Sequence, residues 1–352
     1  MALLLFPHSV PKRKSKIDLN YKLFPMEYFR QTLMGFVEIL MKTYKIFSTN
    51  GKLIPFITLL FLLIQSIFFL LNFFSVKPLV IHLARKLIIS LLLVGDNPTA
   101  NHASDFTKLV TVLEADAQIL VGLEWIFLLV SSFTSLFFAV VTILASSATY
   151  AGKSINVKEL LSLVWKPWIR AFVTVFYITL LELGYIFMAS SFMLPFVLIL
   201  GVDLAKSFSY IIIFVLASIF YCYLSVVWNL ALAVSVMEEK YSGIEALGKA
   251  GQLVKGLKLQ GFLTNLAFGI LYCVAFQVIR KMNEKQSEAV GISIALFAID
   301  FMLLVKMFLV IAYTVLYHEC KKSHGEEIEV QKSIEYTKVP AGVPLIIRAD
   351  LP

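Results

Sequence analysis

Charge is scarce in this chain: Asp, Glu, Lys and Arg make up 15% of its 352 residues, against 59% hydrophobic residues. The polar stretches are too short for a large soluble domain and read as tails and loops. Cysteine is scarcer still, and three residues with none in a non-cytosolic loop give no disulfide framework. The five histidines stand in no Ser/Asp or Cys/Asn set of recognisable context, and no glycine-rich loop offers a phosphate cradle. His318, Glu319, Cys320 and His324 crowd together, but their spacing fits no zinc pattern. We therefore expect no enzyme, no metal and no cofactor. Period-two alternation is missing as well, which excludes a membrane β-barrel.

Long apolar runs are what the sequence has instead. Residues 53–74, 122–142, 171–193, 210–237, 260–279 and 290–317 are each long enough to cross a hydrocarbon core of about 30 Å. Backbone groups in lipid must be satisfied within their own segment, so these runs are helices. The expected fold is all-α: a polytopic six-helix transmembrane bundle with interfacial amphipathic helices. It divides into a basic segment (1–52), a six-span membrane domain (53–317) and a tail (318–352). The opening MALLLFPHSV is too short an apolar patch for a signal-peptide core, so the first span acts as its own insertion signal. No myristoylation, prenylation or retrieval motif is present in the sequence.

Basic residues orient the bundle. Placing the segment 1–52, the loops after spans two and four, and the tail on one side gathers 22 of the 31 Lys and Arg there. Eight lie on the other side and Lys306 lies within the membrane. The positive-inside rule then puts both termini in the cytosol. The net charge of +8 belongs to this asymmetry and implies no nucleic-acid partner. The expected partners are membrane lipids, including anionic headgroups on the cytosolic face, and proteins not identifiable from the sequence. The expected address is the endoplasmic reticulum or another endomembrane, with the plasma membrane as the other option. Cys320, beside Lys321 and Lys322 at the membrane edge, is a candidate palmitoylation site; an unmodified thiol is the plainer reading.

Three segments outside the spans carry pattern. Residues 29–47 place Phe29, Leu33, Phe36, Val37, Leu40, Tyr44 and Phe47 at helical spacing, with Arg30, Gln31, Glu38, Lys42 and Lys45 opposite. This predicts a helix lying on the membrane or docked on the bundle's own edge. Residues 75–121 read as the longest connection, with a helix resuming after Ser104 or Asp105 and leading into span two. The two inner loops resemble each other. Asn156 with Glu159, and Ser242 with Glu245, have capping-box spacing, and each is expected to open a short helix along the surface.

The run Met237-Glu238-Glu239-Lys240-Tyr241-Ser242-Gly243-Ile244-Glu245-Ala246-Leu247, with Leu253-Val254-Lys255-Gly256, carries a resemblance. It is similar to a broad group of six-span proteins that includes the membrane domain attached to some bacterial glycerophosphodiester phosphodiesterases. The ending from Val315 through Tyr317, His318, Glu319 and Cys320 to Glu326 resembles a plant family of uncharacterised six-span membrane proteins. Ala250 departs from the pattern, since relatives often have serine there. The resemblance implies an architecture and a membrane address. It singles out Ser242, Gly243, Glu245, Lys255 and Gly256 as an inner-surface helix motif. The phosphodiesterase domain is absent from the sequence, so its activity does not carry over.

Polar groups within the spans are the remaining signal. Glu182 lies near the middle of span three, and Asp300 and Lys306 bracket the middle of span six. Charges at that depth cost about 2.5–3.5 kcal/mol each and normally face protein or water. Asp300 and Lys306 are six residues apart, about 120° around the helix, so they form no intrahelical pair. We expect Lys306 to reach Glu182, with Asp300 partnered elsewhere. Gln65, Asn72, Asn229, Asn265 and Gln277 join helices or line a pathway, and Ser131, Ser135 and Ala139 form a small-residue stripe for helix contact. These features support two readings. The leading one is a non-enzymatic structural or accessory protein of the endomembrane system; the alternative is a small-solute transporter or channel using the three charges.

Overall fold

The computed structural model describes residues 25–49, 53–95, 100–153, 155–200, 208–283 and 287–325. The basic cluster at residues 12–14 and the tail beyond 325 lie outside them. Among the described residues there are eight helices and no strand: α1 (Pro25–Thr49), α2 (Leu53–Gly95), α3 (Ala100–Tyr150), α4 (Val157–Leu200), α5 (Phe208–Met237), α6 (Gly243–Leu253), α7 (Lys258–Asn283) and α8 (Glu288–His324). Six of them, α2 to α5, α7 and α8, are long and apolar enough to cross a membrane. The protein is an all-α, multi-pass membrane protein.

Two expectations are corrected by helix length. The stretch 75–121 is not a long connection, because α2 and α3 run through it as helices of 43 and 51 residues. Hydropathy falls there because Lys77, Arg85 and Lys86 interrupt the apolar run, but each helix finds its partner in the other. Gln65 and Ser131 exchange hydrogen bonds at 3.0 and 3.3 Å. Further along, the Asn72 amide donates to Glu124 at 3.1 Å and Lys86 pairs with Asp116 at 2.6 Å. The partners step in opposite directions along the two helices, as an antiparallel hairpin requires.

The second correction concerns the inner loops. The Asn156 N–H bonds the Glu159 carboxylate at 3.5 Å, half of the expected capping box, but the helix it opens is α4 itself. α4 continues for 44 residues through Pro167 and Pro195. Only the second loop holds a separate short helix, the 11-residue α6. Ser242 sits in extended N-cap geometry, yet its hydroxyl makes no cap hydrogen bond. The two loops are therefore not copies of one unit.

Burial is concentrated at the end of the bundle where α1, α6 and the last turns of α8 meet. Val140, Ala145 and Ser146 of α3, Leu230, Ala231 and Val234 of α5, and Ile311, Ala312 and Val315 of α8 are wholly buried. Helices in lipid gain little from the hydrophobic effect and associate through close contact of small residues and interhelical hydrogen bonds. Alanine and serine at these positions let the backbones approach. Gly261 serves the same purpose in α7, where an added Cβ would come 2.6 Å from a Val226 methyl. Toward the opposite end burial is sparse, and Phe187 and Phe192 of α4 are 74% and 66% exposed.

Candidate functional site

Glu182, Asp300 and Lys306 do not form one ion-paired network. Lys306 donates to the Ser135 hydroxyl on α3 at 2.8 Å, not to Glu182. Glu182 accepts a 3.4 Å hydrogen bond from the Tyr221 phenol on α5. Asp300 accepts from Ser66 on α2 at 2.7 Å. The physical reason is spacing between helices: α4 does not pack along α8, whereas α3 packs on both. Lys306 therefore satisfies its ammonium on the nearer helix. The Lys306 residue keeps accessible surface beside that contact. Glu182 and Lys306 are nonetheless near enough to feel each other's charge.

The buried polar groups instead gather at the tightly closed end. Glu238, just beyond α5, accepts from the Tyr317 phenol at 2.9 Å and pairs with Lys321 at 3.3 Å. Both charged side chains are almost wholly buried, at 6% and 4% exposure. Glu319 takes the Tyr150 phenol at 2.9 Å and the Lys42 ammonium at 2.6 Å, and Lys42 also pairs with Glu38 at 2.7 Å. Burial by itself would depress the Lys42 ammonium, but hydrogen bonds to Glu319 and Glu38 outweigh it and hold the group above the usual lysine range. His318 bonds the Ser147 hydroxyl at 2.9 Å and stacks on Tyr150 with ring centres 4.5 Å apart. Among the described residues, His318 Nδ1 is buried without a hydrogen-bond partner.

These contacts decide how α1 sits. Thr32, Ile39, Thr43 and Ile46 are buried against the bundle, and α1 packs on α7 and α8. The Gly35 backbone passes so close to Gln260 that a side chain at 35 would collide with its amide. Phe29, Leu33, Val37 and Tyr44 are exposed. The apolar face is thus divided: Lys42 turns toward the bundle and Phe47 packs on Phe308, while Phe29, Leu33, Val37 and Tyr44 turn away.

The inner-surface motif is divided between turn and contact roles. Gly243 has φ +56°, and its N–H donates to Thr174 on α4 at 2.9 Å. A Cβ there would come 3.0 Å from the Tyr177 ring, so glycine meets both the left-handed backbone and the close approach. Gly256, at φ +102°, closes the turn that leads from α6 into α7. Glu245 and Lys255 are exposed and Ser242 is half-buried. Ala250, where serine was anticipated from the resemblance, is wholly buried, and a methyl group needs no hydrogen bond there. Cys320 is also wholly buried, which corrects its placement as an acylation site: an acyl-transferring enzyme would meet no surface thiol.

Beside this end, α3, α4 and the end of α5 enclose a cavity of about 390 Å³. Its polar lining comprises Ser147, Ser162, Lys166, Arg170 and Glu239. Arg170 spends its Nε on the Ser235 carbonyl at 3.2 Å. On the far side of α5 a wider groove of about 750 Å³ is bordered by Phe220, Phe262, Tyr223 and Lys258. Lys258 donates to the Tyr223 phenol at 3.2 Å.

Residues 26–344 match the family described as a domain of unknown function (DUF8558). The chain belongs to that family. No curated protein and no solved structure matches it. The DUF8558 match covers α1 through α8, so α1 is part of the family's domain and not an appendage to it.

Sequence reasoning did not find the Glu238–Tyr317–Lys321 cluster. The signal was present in α8, where Thr314, Tyr317, His318 and Lys321 recur at three- and four-residue spacing and continue the buried stripe. A lysine at a helix end reads as solvated, and only contact with α5 shows otherwise.

Proposed function

We propose that this protein is a non-enzymatic membrane scaffold of the endomembrane system, with both termini in the cytosol. In this reading it organises anionic lipids, and proteins that meet them, at its basic end. The observation that carries the reading is the division of polar groups. Charges at mid-depth are each joined to a different neighbouring helix, whereas basic side chains and clefts collect at the tightly closed end. The first arrangement fixes which helices touch; the second supplies a surface complementary to lipid phosphate. The resemblance of residues 237–256 to six-span membrane domains supports the same address.

Transport is the second reading, and the accessible Lys306, within electrostatic reach of Glu182, favours it. Substituted-cysteine accessibility separates the two. Cys222, Cys273 and Cys320 are replaced by alanine, and single cysteines are placed at 182, 300 and 306. A membrane-impermeant thiol reagent is then applied to each face of sealed vesicles. The scaffold reading expects protection from both faces. Rapid labelling at these depths would mean a water-filled pathway and replace scaffolding with transport.

A further inference from the structure

We infer that the cavity between α3, α4 and α5 is a specific seat for the headgroup of an anionic phospholipid carrying free hydroxyls, of the phosphatidylinositol or phosphatidylglycerol type. The inference rests on the lipid-organising reading and assigns it to one site.

Four features of the cavity converge on this ligand. Lys166 and Arg170 lie one helical turn apart on α4, so both side chains project from the same face. Among the described residues neither forms a salt bridge, and Arg170 commits only Nε, which leaves its terminal nitrogens for a phosphate. With Glu239 as the single carboxylate in the lining, the balance is one net positive charge, which suits a lipid of one net negative charge.

Acceptors for hydroxyl donors are present too. Pro167 has no N–H, so the Leu163 carbonyl one turn earlier lacks its helical donor, and both residues line the cavity. Together with the Glu239 carboxylate, this carbonyl gives a polyol two acceptors, while Lys166 and Arg170 hold the phosphate. The Ser147 hydroxyl is turned to His318 and closes the floor.

Depth is the third feature. Trp165, next to Lys166, is 71% exposed, and Trp168 follows one turn on. Exposed tryptophan on a membrane helix marks the level of the headgroups. The fourth feature is an apolar way out. Leu161 and Ile169 of α4 are exposed on the membrane-facing surface, and Leu160, Leu163 and Val236 form the apolar wall. A volume of about 390 Å³ accommodates a headgroup, while the acyl chains remain outside along α4.

The test is native mass spectrometry of the full chain, released from detergent after equilibration with phosphatidylinositol or phosphatidylcholine. The wild type is expected to retain one phosphatidylinositol with about tenfold preference. K166Q should reduce that preference by about tenfold, and R170K should reduce it less because the positive charge at 170 is kept. K258Q removes a lysine from the neighbouring groove and should leave it unchanged. Thermal unfolding of each variant reports whether the Arg170–Ser235 contact has been disturbed, and R170K retains a donor for it.

An anionic preference that survives K166Q and R170K in stable protein would overturn this site but leave lipid organisation standing. Loss in K258Q equal to that in K166Q would overturn it in favour of general surface charge. No preference in the wild type would remove both the site and the reading beneath it. Displacement of the lipid by water-soluble glycerophosphoinositol at equal concentration would show that a soluble phosphate, not a lipid, is the occupant.

Discussion

At the residue scale, Glu238 and Lys321 show what the closed end withstands. Removing two charges from water costs several kcal/mol each, and only a close partner with further hydrogen bonds offsets that. Here Tyr317 supplies the further bond, and the Lys321 ammonium lies 5.6 Å from the Tyr317 ring centre. Lys321→Met would leave the carboxylate buried with the phenol alone. We expect a loss of about 3–5 kcal/mol, read as a lowered unfolding temperature of the purified protein. Lys322, one residue on and exposed, is the control: Lys322→Met should shift that temperature little. The pair was not legible in the sequence, because hydropathy scores a charge as exposed and carries no information on a partner 83 positions away. Lys306 was misassigned for the converse reason. Its need for a polar partner was foreseen, but the shortest reach belonged to a serine that carries no charge.

At the element scale, α1 is the instructive case. Its periodicity gave the helix correctly, and both possible seats for it were visible. The division of its apolar face was not, because it depends on Gly35 meeting Gln260 and on Lys42 meeting Glu319, contacts that join distant parts of the chain. The Lys42 contact also sets a pH expectation. A lysine whose folded value is raised contributes stability that is fully present below its unfolded value near 10.4, and loses it as pH rises through the higher folded value. Docking of α1 should therefore be unchanged from mildly acidic to mildly alkaline solution. Limited proteolysis at residues 25–49 over that range should show constant protection, whereas Lys42→Met should expose α1 to cleavage at neutral pH. A protection that vanishes near neutrality would mean that some other titrating group holds the helix.

At the scale of the whole molecule, the six spans could be read directly, since apolar runs of this length have no other stable home in a helical protein. Their true lengths could not, because a helix leaving the hydrocarbon is sustained by its neighbour and not by its own hydropathy. The basic asymmetry makes the remaining prediction. Reporter tags at residue 25 and after residue 325 should both be accessible to protease from the cytosolic side of sealed vesicles, and a tag between α2 and α3 from the other. Protection of the tag at residue 25 from cytosolic protease, with cleavage of the α2–α3 tag, would invert the orientation and with it the cytosolic seat for lipid.

That same hairpin has a mechanical consequence. Forty-three residues of α2 at 1.5 Å each span about 65 Å, roughly twice the hydrocarbon thickness. Pro78 lies within the helix, and beyond it Lys86 and His82 are clasped to Asp116. Clasped at successive levels from Gln65–Ser131 through Asn72–Glu124 to Lys86–Asp116, the two helices form one braced rod, so a push at its far end is carried along the whole hairpin into the bundle.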